Sequence, residues 1–334
     1  MTKHLLRSKV EPFDPKKVKT VQDAFEALSH TSFQGRNLGK ALDVMFQMVQ
    51  EESCLKVLTL SGAMVPAGME EIVCQLIEHH IIDAVVTTGA NIIHSIVNSF
   101  DPTPEHQAHY IGAEGVDDAE LYKHRINRIY DIFLPEEGYG YAEDGLLQII
   151  SEKFSPSIKH VLTPSELFEF LGEKLPGRGL LQVAYQNKTP IFCGATSDSE
   201  LGLNLMKYRK RNDINITLDE LKDIEYFANL IRKHEHYGTI IIGGGVPRNW
   251  AQQVFPYLDQ MDQGTGGKQY NGYHYSIRFH TATQYDGGLS GCTISESISW
   301  GKYAKNATHQ SVWVDATIGF PLIVTALFQK LGLI

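Results

Sequence analysis

The chain has few cysteines, no excess of basic residues and no long apolar run, and each absence excludes a class of protein. Its four cysteines lie far apart without a CxxC pair, which argues against a zinc site or a disulfide framework. Because 39 acidic residues outnumber 30 basic ones and give a net charge of -9, nucleic acid is disfavoured as a partner. No segment approaches the roughly 18 consecutive apolar residues that span a bilayer, and the first residues do not resemble a signal peptide. We therefore expect a cytoplasmic protein without metal, membrane or nucleic-acid binding.

Two amphipathic segments precede the main pattern of the chain. Apolar residues recur at steps of three and four over 21–28 and 38–49, which predicts two helices in an N-terminal arm over residues 1–50. From residue 51 to 334, short aliphatic runs alternate with segments of helical period, which is typical of a parallel sheet with crossover helices. The predicted fold class is α/β: a Rossmann-like, open, mainly parallel sheet flanked by helices.

Six of the predicted strands end in small or polar residues. They are KVLTL before SGA, DAVVT before TGAN, PIFCG before ATSD, GTIII before GGGV, YSIRF before HTATQYDGG, and SVWV before DATIG. The carboxyl ends of parallel strands form the ligand crevice of such sheets, and small residues there let backbone amides approach a phosphate. Turns need these residues anyway, so only the row 243–245 and the long stretch 281–291 exceed the background. The absence of GxGxxG disfavours a standard dinucleotide fold and a simple dehydrogenase.

One stretch is specific enough to suggest a family. DGGLSGCTISESISWGK runs from Asp286 to Lys302, and VDATIGFPL follows from Val314. Together they resemble the deoxyhypusine synthase family, and the resemblance extends through IIIGGGV, PIFCGATSD, VVTTGAN and TSFQGRNLGKA, which covers most of the chain. It implies an NAD-dependent transferase in which the aminobutyl group of spermidine passes to an enzyme lysine as an imine and then to an acceptor lysine of a translation factor. It also implies a homotetramer with active sites shared between paired subunits.

The resemblance assigns the catalytic lysine to Lys302, by its place in SWGK. Imine chemistry needs an uncharged amine, and lysine is the side chain whose pKa falls most readily on burial. Glu296 and Trp300 are four residues apart, so on one helix they would present a carboxylate and an aromatic ring to the same amine. The alternative is that Glu296 forms a capping box with Thr293 and that Trp300 belongs to the core. Gly301 is expected to end the helix and turn Lys302 inward.

The resemblance also implies that strand-end residues bind NAD. These are Ser61, Gly62, Ala63, Thr88, Gly89, Asp198, Gly244, Thr281, Ala282, Asp286, Asp315 and Ala316. Asp198 and Asp315 suit this role because a carboxylate at a strand end can accept hydrogen bonds from both ribose hydroxyls. Each aspartate could instead be a helix N-cap.

The sequence departs from the family where the family binds its polyamine. Acids are replaced at Ile93, His94, Leu203 and Leu289, and a histidine is replaced by Asn249. Spermidine is a trication, and each desolvated ammonium needs a carboxylate or aromatic partner. We therefore expect the catalytic apparatus to be kept while the amine donor, the acceptor or both have changed, for example to a less charged amine or to one whose carboxylate meets His94. Unaligned acids could also replace the missing ones; the candidates are Glu114, Asp117 and Asp118.

Several hypotheses about the substrate and the activity remain open. The expected substrate-binding residues are His94, Asn249, Gly287, Gly288 and Ser290, and the expected ligand is a small amine. A homospermidine synthase, in which a free diamine accepts the group, fits the same motifs. So does a relative that binds NAD without catalysis and acts as a sensor or scaffold, although retention of Lys302 argues against it.

Overall fold

A computed structural model describes residues 8–101, 108–262, 270–285 and 287–334. The α-helices are α1 (Val21–Ser29), α2 (Phe33–Gln50), α3 (Glu70–Glu78), α4 (Gly89–Ser99), α5 (Asp118–Lys123), α6 (Glu136–Lys153), α7 (Pro164–Lys174), α8 (Leu180–Gln186), α9 (Glu200–Arg211), α10 (Glu220–Arg232), α11 (Gly245–Asp262), α12 (Ile294–Ile298) and α13 (Ala316–Leu331). None of these described helices is long and apolar enough to cross a membrane.

The strands form one large sheet and two small ones. They are β1 (Cys54–Leu60), β2 (Ala84–Thr87), β3 (Tyr110–Ile111), β4 (Ile126–Ile129), β5 (Ile132–Pro135), β6 (Lys159–Leu162), β7 (Ile191–Phe192), β8 (Asn215–Leu218), β9 (His236–Ile242), β10 (Tyr273–His280) and β11 (Tyr303–Trp313). The large sheet has the order β11-β10-β9-β1-β2-β7, and the small sheets have the orders β3-β5-β4 and β6-β8. The pairs β1–β2, β2–β7, β9–β10 and β10–β11 are parallel. All six predicted strands belong to the large sheet, so the predicted α/β architecture is confirmed.

The chain divides into two compact units, and the division runs through β1. The first unit contains Met1–Lys56, His234–Gly244 and Phe255–Ile334, and the second contains Val57–Lys233 and Gly245–Val254. Both predicted N-terminal helices exist as α1 and α2, and α2 begins at Phe33, earlier than predicted. In the first unit, α2 packs on β10 and β11, and α1 packs on α13. The predicted arm boundary at residue 50 stays a prediction.

Local signals explain where several helices begin. Thr20 and Asp23 form a complete capping box at the start of α1, and Thr163 and Glu166 form another at the start of α7. In the second unit, Phe192 of β7 stacks on Trp250 at a centroid distance of 5.3 Å. The buried strands are aliphatic, as a sheet covered on both faces requires.

Candidate functional site

In the first unit, the predicted strand-end residues follow three neighbouring parallel strands. Ile242 is in register with Phe279, and His280 with Trp313. The residues after these positions, which include Gly244, Thr281, Ala282, Asp315 and Ala316, therefore lie along one edge of the sheet. The indole Nε1 of Trp313 donates to the carbonyl of Ala282 at 3.2 Å, which joins two of these strand ends. Asp286 lies outside the described residues.

A buried arginine organises this edge. Arg278 is 1% exposed within the apolar strand β10. Its guanidinium donates to the carbonyls of Gly243 at 3.2 Å, of Cys292 at 2.9 Å and of Ser290. A Cβ at Gly244 would lie 2.7 Å from the Ser290 Oγ, so the glycine row is needed where this loop crosses it. Sequence reasoning missed Arg278, and the signal available was a lone charge inside a strand that is otherwise apolar.

Lys302 is turned into the protein by a tight connection between α12 and β11. Its side chain is only 8% exposed, and its backbone N donates to the Ser297 carbonyl at 3.1 Å. The preceding Gly301 has a φ of 69°, a left-handed conformation that favours glycine. Gly272, with a φ of 75°, passes so close that a Cβ there would lie 2.4 Å from the Lys302 carbonyl carbon. The position of Lys302 therefore depends on two glycines.

Glu296 and Trp300 do not share a helix face, because α12 ends at Ile298. Trp300 lies in the turn beyond it, is 61% exposed, and its ring centroid is 5.7 Å from the Lys302 Nζ. That distance is within the range of a cation–π contact. Glu296 is exposed on the first turn of α12, where Thr293 accepts from its backbone N at 3.1 Å. The prediction that Glu296 and Trp300 share a helix face is therefore wrong. The turn after α12 instead places the Trp300 ring beside Lys302. The catalytic roles of the three residues stay predictions.

A cavity of about 300 Å³ lies at the same sheet edge of the first unit. It is lined by Arg278, His280, the segment 291–295 and the end of β11, together with Asn37 of α2. Burial lowers the pKa of His309 in this lining. The cavity gives this edge enough room for part of a small ligand.

In the second unit, an asparagine joins two predicted strand ends. Leu60 of β1 is in register with Thr87 of β2, so the loops 61–63 and 88–89 leave the sheet side by side. Asn91 is fully buried, accepts from the Val65 N at 2.9 Å and donates to the Gly62 carbonyl at 3.0 Å. Asn91 was not among the predicted site residues, although it is the last residue of the strand-end motif TGAN. It fixes the loop containing Ser61, Gly62 and Ala63 against the start of α4, where Thr88 and Gly89 lie.

The two candidate ribose-binding aspartates differ in their surroundings. Asp315 is the N-cap of α13, and its Oδ1 accepts from the backbone N and hydroxyl of Thr317 at 2.8 and 2.5 Å. Asp198 is exposed and caps no helix, since Ser199 is the N-cap of α9. The Asp198 carboxylate makes no hydrogen bond with another described residue. An unengaged carboxylate at a strand end can accept hydrogen bonds from a diol.

His94 lies in a buried histidine pair. Its side chain is 4% exposed, and its Nδ1 lies 2.8 Å from the Nε2 of His109. Burial, and secondarily His109, lowers the pKa of His94 to about 3, and burial lowers the pKa of His109 to about 4. The ring of Tyr139 lies 5.9 Å from that of His94 between centroids. Both histidines are therefore neutral near pH 7, and His94 offers a hydrogen bond rather than a charge.

The positions at which the resemblance led us to expect acids fall into two kinds. Ile93 is buried, whereas Leu203 and Leu289 are 54% and 45% exposed. Asn249 is half-buried in α11.

Two of the three proposed replacement acids have partners within their own segment. Asp117 caps α5, and Asp118 pairs with Arg128. Glu114 is exposed. The predicted substrate residues Gly287, Gly288 and Ser290 lie in the loop that Arg278 holds, and their role stays a prediction.

The chain is similar to known proteins over nearly its whole length. The family model described as Deoxyhypusine synthase matches residues 23–327. A protein of Methanosarcina mazei named "Probable deoxyhypusine synthase 2" is 34% identical, over 96% of this chain and 89% of its own. A "Deoxyhypusine synthase-like protein" of Chlorobaculum parvum is 30% identical, over 91% and 85%.

A solved structure has the same fold. The crystal structure of an Entamoeba histolytica protein, provisionally named deoxyhypusine synthase, superimposes with a TM-score of 0.62 at 19% identity and covers 96% of this chain and 97% of the other. Together with the sequence matches, these findings show that the chain belongs to the deoxyhypusine synthase family.

Proposed function

We propose that this protein is an NAD-dependent aminoalkyl transferase in which Lys302 carries the transferred group as an imine. The observation that supports it most directly is the burial of Lys302, with its Nζ 5.7 Å from the centroid of the Trp300 ring. A lysine of no function is normally exposed because burying an ammonium costs several kcal/mol. The proposed chemistry uses the uncharged amine, which is the form that attacks a carbon–nitrogen double bond.

Lys302, Trp300 and Glu296 have separate roles in the proposed transfer. The Lys302 amine adds to the oxidised donor carbon, the rest of the donor leaves as a free amine, and the acceptor amine then displaces Lys302 from the carbon. The exposed ring of Trp300 can contact the cationic donor before the donor reacts. Glu296, also exposed in α12, can pair with an ammonium group. Since Lys302 is released at the end, it is regenerated in every cycle.

NAD is the proposed cofactor. When bound, it would accept a hydride from the donor carbon and return it to the final imine, so that the overall transfer involves no net oxidation. Asp198, with its unengaged carboxylate, would hold the ribose, and the loop fixed by Asn91 would lie beside it. Asp315 uses Oδ1 to cap α13, which leaves Oδ2 for a ligand.

The donor is proposed to carry fewer charges than spermidine. Leu203 and Leu289 present exposed apolar surface where the family has acids, and His94 is neutral. A neutral imidazole cannot form an ion pair with a donor carboxylate, so a less charged amine is favoured over an amino acid. The acceptor is an amine, either a lysine of a translation factor or, as in homospermidine synthase, a free diamine. A cytoplasmic homotetramer is the proposed assembly.

Borohydride trapping tests the proposal. The protein is incubated with NAD and one amine at a time from spermidine, agmatine, putrescine and 1,3-diaminopropane, then reduced, digested and analysed by mass spectrometry. We expect an alkyl adduct on the peptide that contains Lys302, formed only with NAD present, and a weaker yield with spermidine than with a dication. Addition of a second amine before borohydride should remove the adduct.

A matched control separates Lys302 from other lysines. Lys302→Ala should abolish the adduct, whereas Lys305→Ala, at an exposed position three residues further along the chain in β11, should keep it. Full turnover by the Lys302→Ala variant would refute the imine mechanism. NAD binding without any adduct across the amine panel would favour the non-catalytic relative.

A further inference from the structure

A second cavity lies in the second unit, at the end of β7 opposite to the candidate nucleotide edge. Its volume is about 520 Å³, and it is lined by α7, α8, the segment 188–190 and the start of β7, with Tyr226 of α10. Asp198 follows the carboxyl end of β7, whereas Lys188, Thr189 and Pro190 precede its amino end. The cavity is therefore separate from the residues that the proposed reaction uses.

The polar part of the lining is acidic. Glu166 and Glu169 are three residues apart on the exposed face of α7. Glu166 uses one carboxylate oxygen to accept from the Thr163 N at 2.8 Å, while the Glu169 carboxylate has no hydrogen bond or ion pair with a described residue. Lys188 is the one cation among the described lining residues.

Aromatic rings and apolar side chains complete the lining. Tyr185 and Tyr226 are partly exposed on its walls, and Phe168, Leu181 and Ala184 are buried beneath. The pKa of Tyr226 is raised by burial and further by the negative charges of Glu169 and Asp223. Glu169 and Tyr226 line the same cavity, so both can contact one ligand there.

A threonine hydroxyl in the lining can contact a polar ligand. Thr189 lines the cavity and is only 8% exposed. Its backbone N donates to the Ala184 carbonyl at 2.9 Å, but its hydroxyl makes no hydrogen bond with any described residue. A ligand amine in the cavity would supply the partner.

We propose that this cavity is a second, non-catalytic binding site for an alkylammonium ion. The ammonium group pairs with Glu169 and contacts the ring of Tyr226, the Thr189 hydroxyl accepts a hydrogen bond from it, and the alkyl chain covers Leu181 and Ala184. A carboxylate with an aromatic ring over an apolar floor selects a cation with an apolar stem over an anion or a sugar. This site does not depend on the imine chemistry at Lys302.

Calorimetry on the Lys302→Ala variant tests the site without catalytic turnover. Putrescine and butylamine are the probes at low ionic strength, and 1,4-butanediol is the neutral analogue. We expect amine binding that weakens as salt is added, and no binding of the diol. Glu169→Gln should weaken amine binding about fivefold, the size expected for a partly exposed ion pair. Tyr226→Leu should weaken it by at least as much, and Tyr226→Phe should retain it.

Glu173→Gln is the matched control. Glu173 lies on the same helix but pairs with Lys174 at 3.0 Å, so this variant should bind within twofold of the parent. Circular dichroism shows whether each variant is folded. If Tyr226→Leu does not fold, Glu169→Gln still tests the proposal because position 169 is exposed. Equal binding of the diol, no amine binding, or unchanged affinity in Glu169→Gln would each overturn the proposal. Loss of the borohydride adduct with this binding intact would contradict the proposed function alone.

Discussion

The buried pair of His94 and His109 should make the folded protein sensitive to mild acid. Burial lowers the pKa of His94 from 6.5 to about 3, so the folded protein cannot take up this proton at pH 5 whereas the unfolded chain can. At pH 5, which is 1.5 units below the pKa of histidine in the unfolded chain, His94 lowers the free energy of unfolding by about 2 kcal/mol. His109, with a pKa of about 4, is also uncharged in the folded protein at pH 5 and adds nearly as much, although Asp101 partly offsets its desolvation. Stability is present above about pH 6.5 and falls as the pH drops towards 4.

Urea unfolding at pH 7.5 and pH 5.0 measures this difference. The wild type should lose about 4 kcal/mol between the two pH values, and His94→Leu should lose about 2 kcal/mol less, whatever its stability at pH 7.5. All other residues are the same in both proteins, so their contribution cancels in the comparison. His124→Gln, at an exposed position, is the control and should behave as the wild type. An equal loss in His94→Leu and wild type would refute the argument.

Two further predictions concern glycines at close contacts. Gly272→Ala should destabilise the protein by about 1–3 kcal/mol, because φ is 75° and a Cβ would lie 2.4 Å from the Lys302 carbonyl carbon. The melting temperature and the yield of the borohydride adduct should both fall. An unchanged melting temperature would contradict this prediction. Gly89→Ala should also be destabilising, since its Cβ would lie 2.6 Å from the Ser199 Oγ. The double variant with Ser199→Gly should recover part of the loss, and full additivity of the two changes would show that the contact is not the cause.

The sheet could be predicted because its signals are local. Six aliphatic runs ending in small residues indicated six strands, and all six are present. What could not be predicted depends on contacts between residues far apart in sequence. The interaction of Arg278 with the loop at Ser290 is one case, and the packing of His94 against His109 is another. The prediction that Glu296 and Trp300 share a face was wrong because a spacing of four residues does not show where a five-residue helix ends.

The number of free acids in the first unit limits which donors the proposed reaction can use. Glu296 is exposed, and its carboxylate has no hydrogen bond or ion pair with another described residue, so it can meet one ammonium group without first breaking a contact. Leu289, in the same unit, offers exposed apolar surface instead of a further acid. A trication would leave at least one ammonium group without a carboxylate, at a desolvation cost of several kcal/mol, whereas a dication can keep its second charge in water. Substituting Leu289→Glu should therefore raise the adduct yield with spermidine relative to putrescine, and an unchanged ratio would show that this surface does not contact the donor.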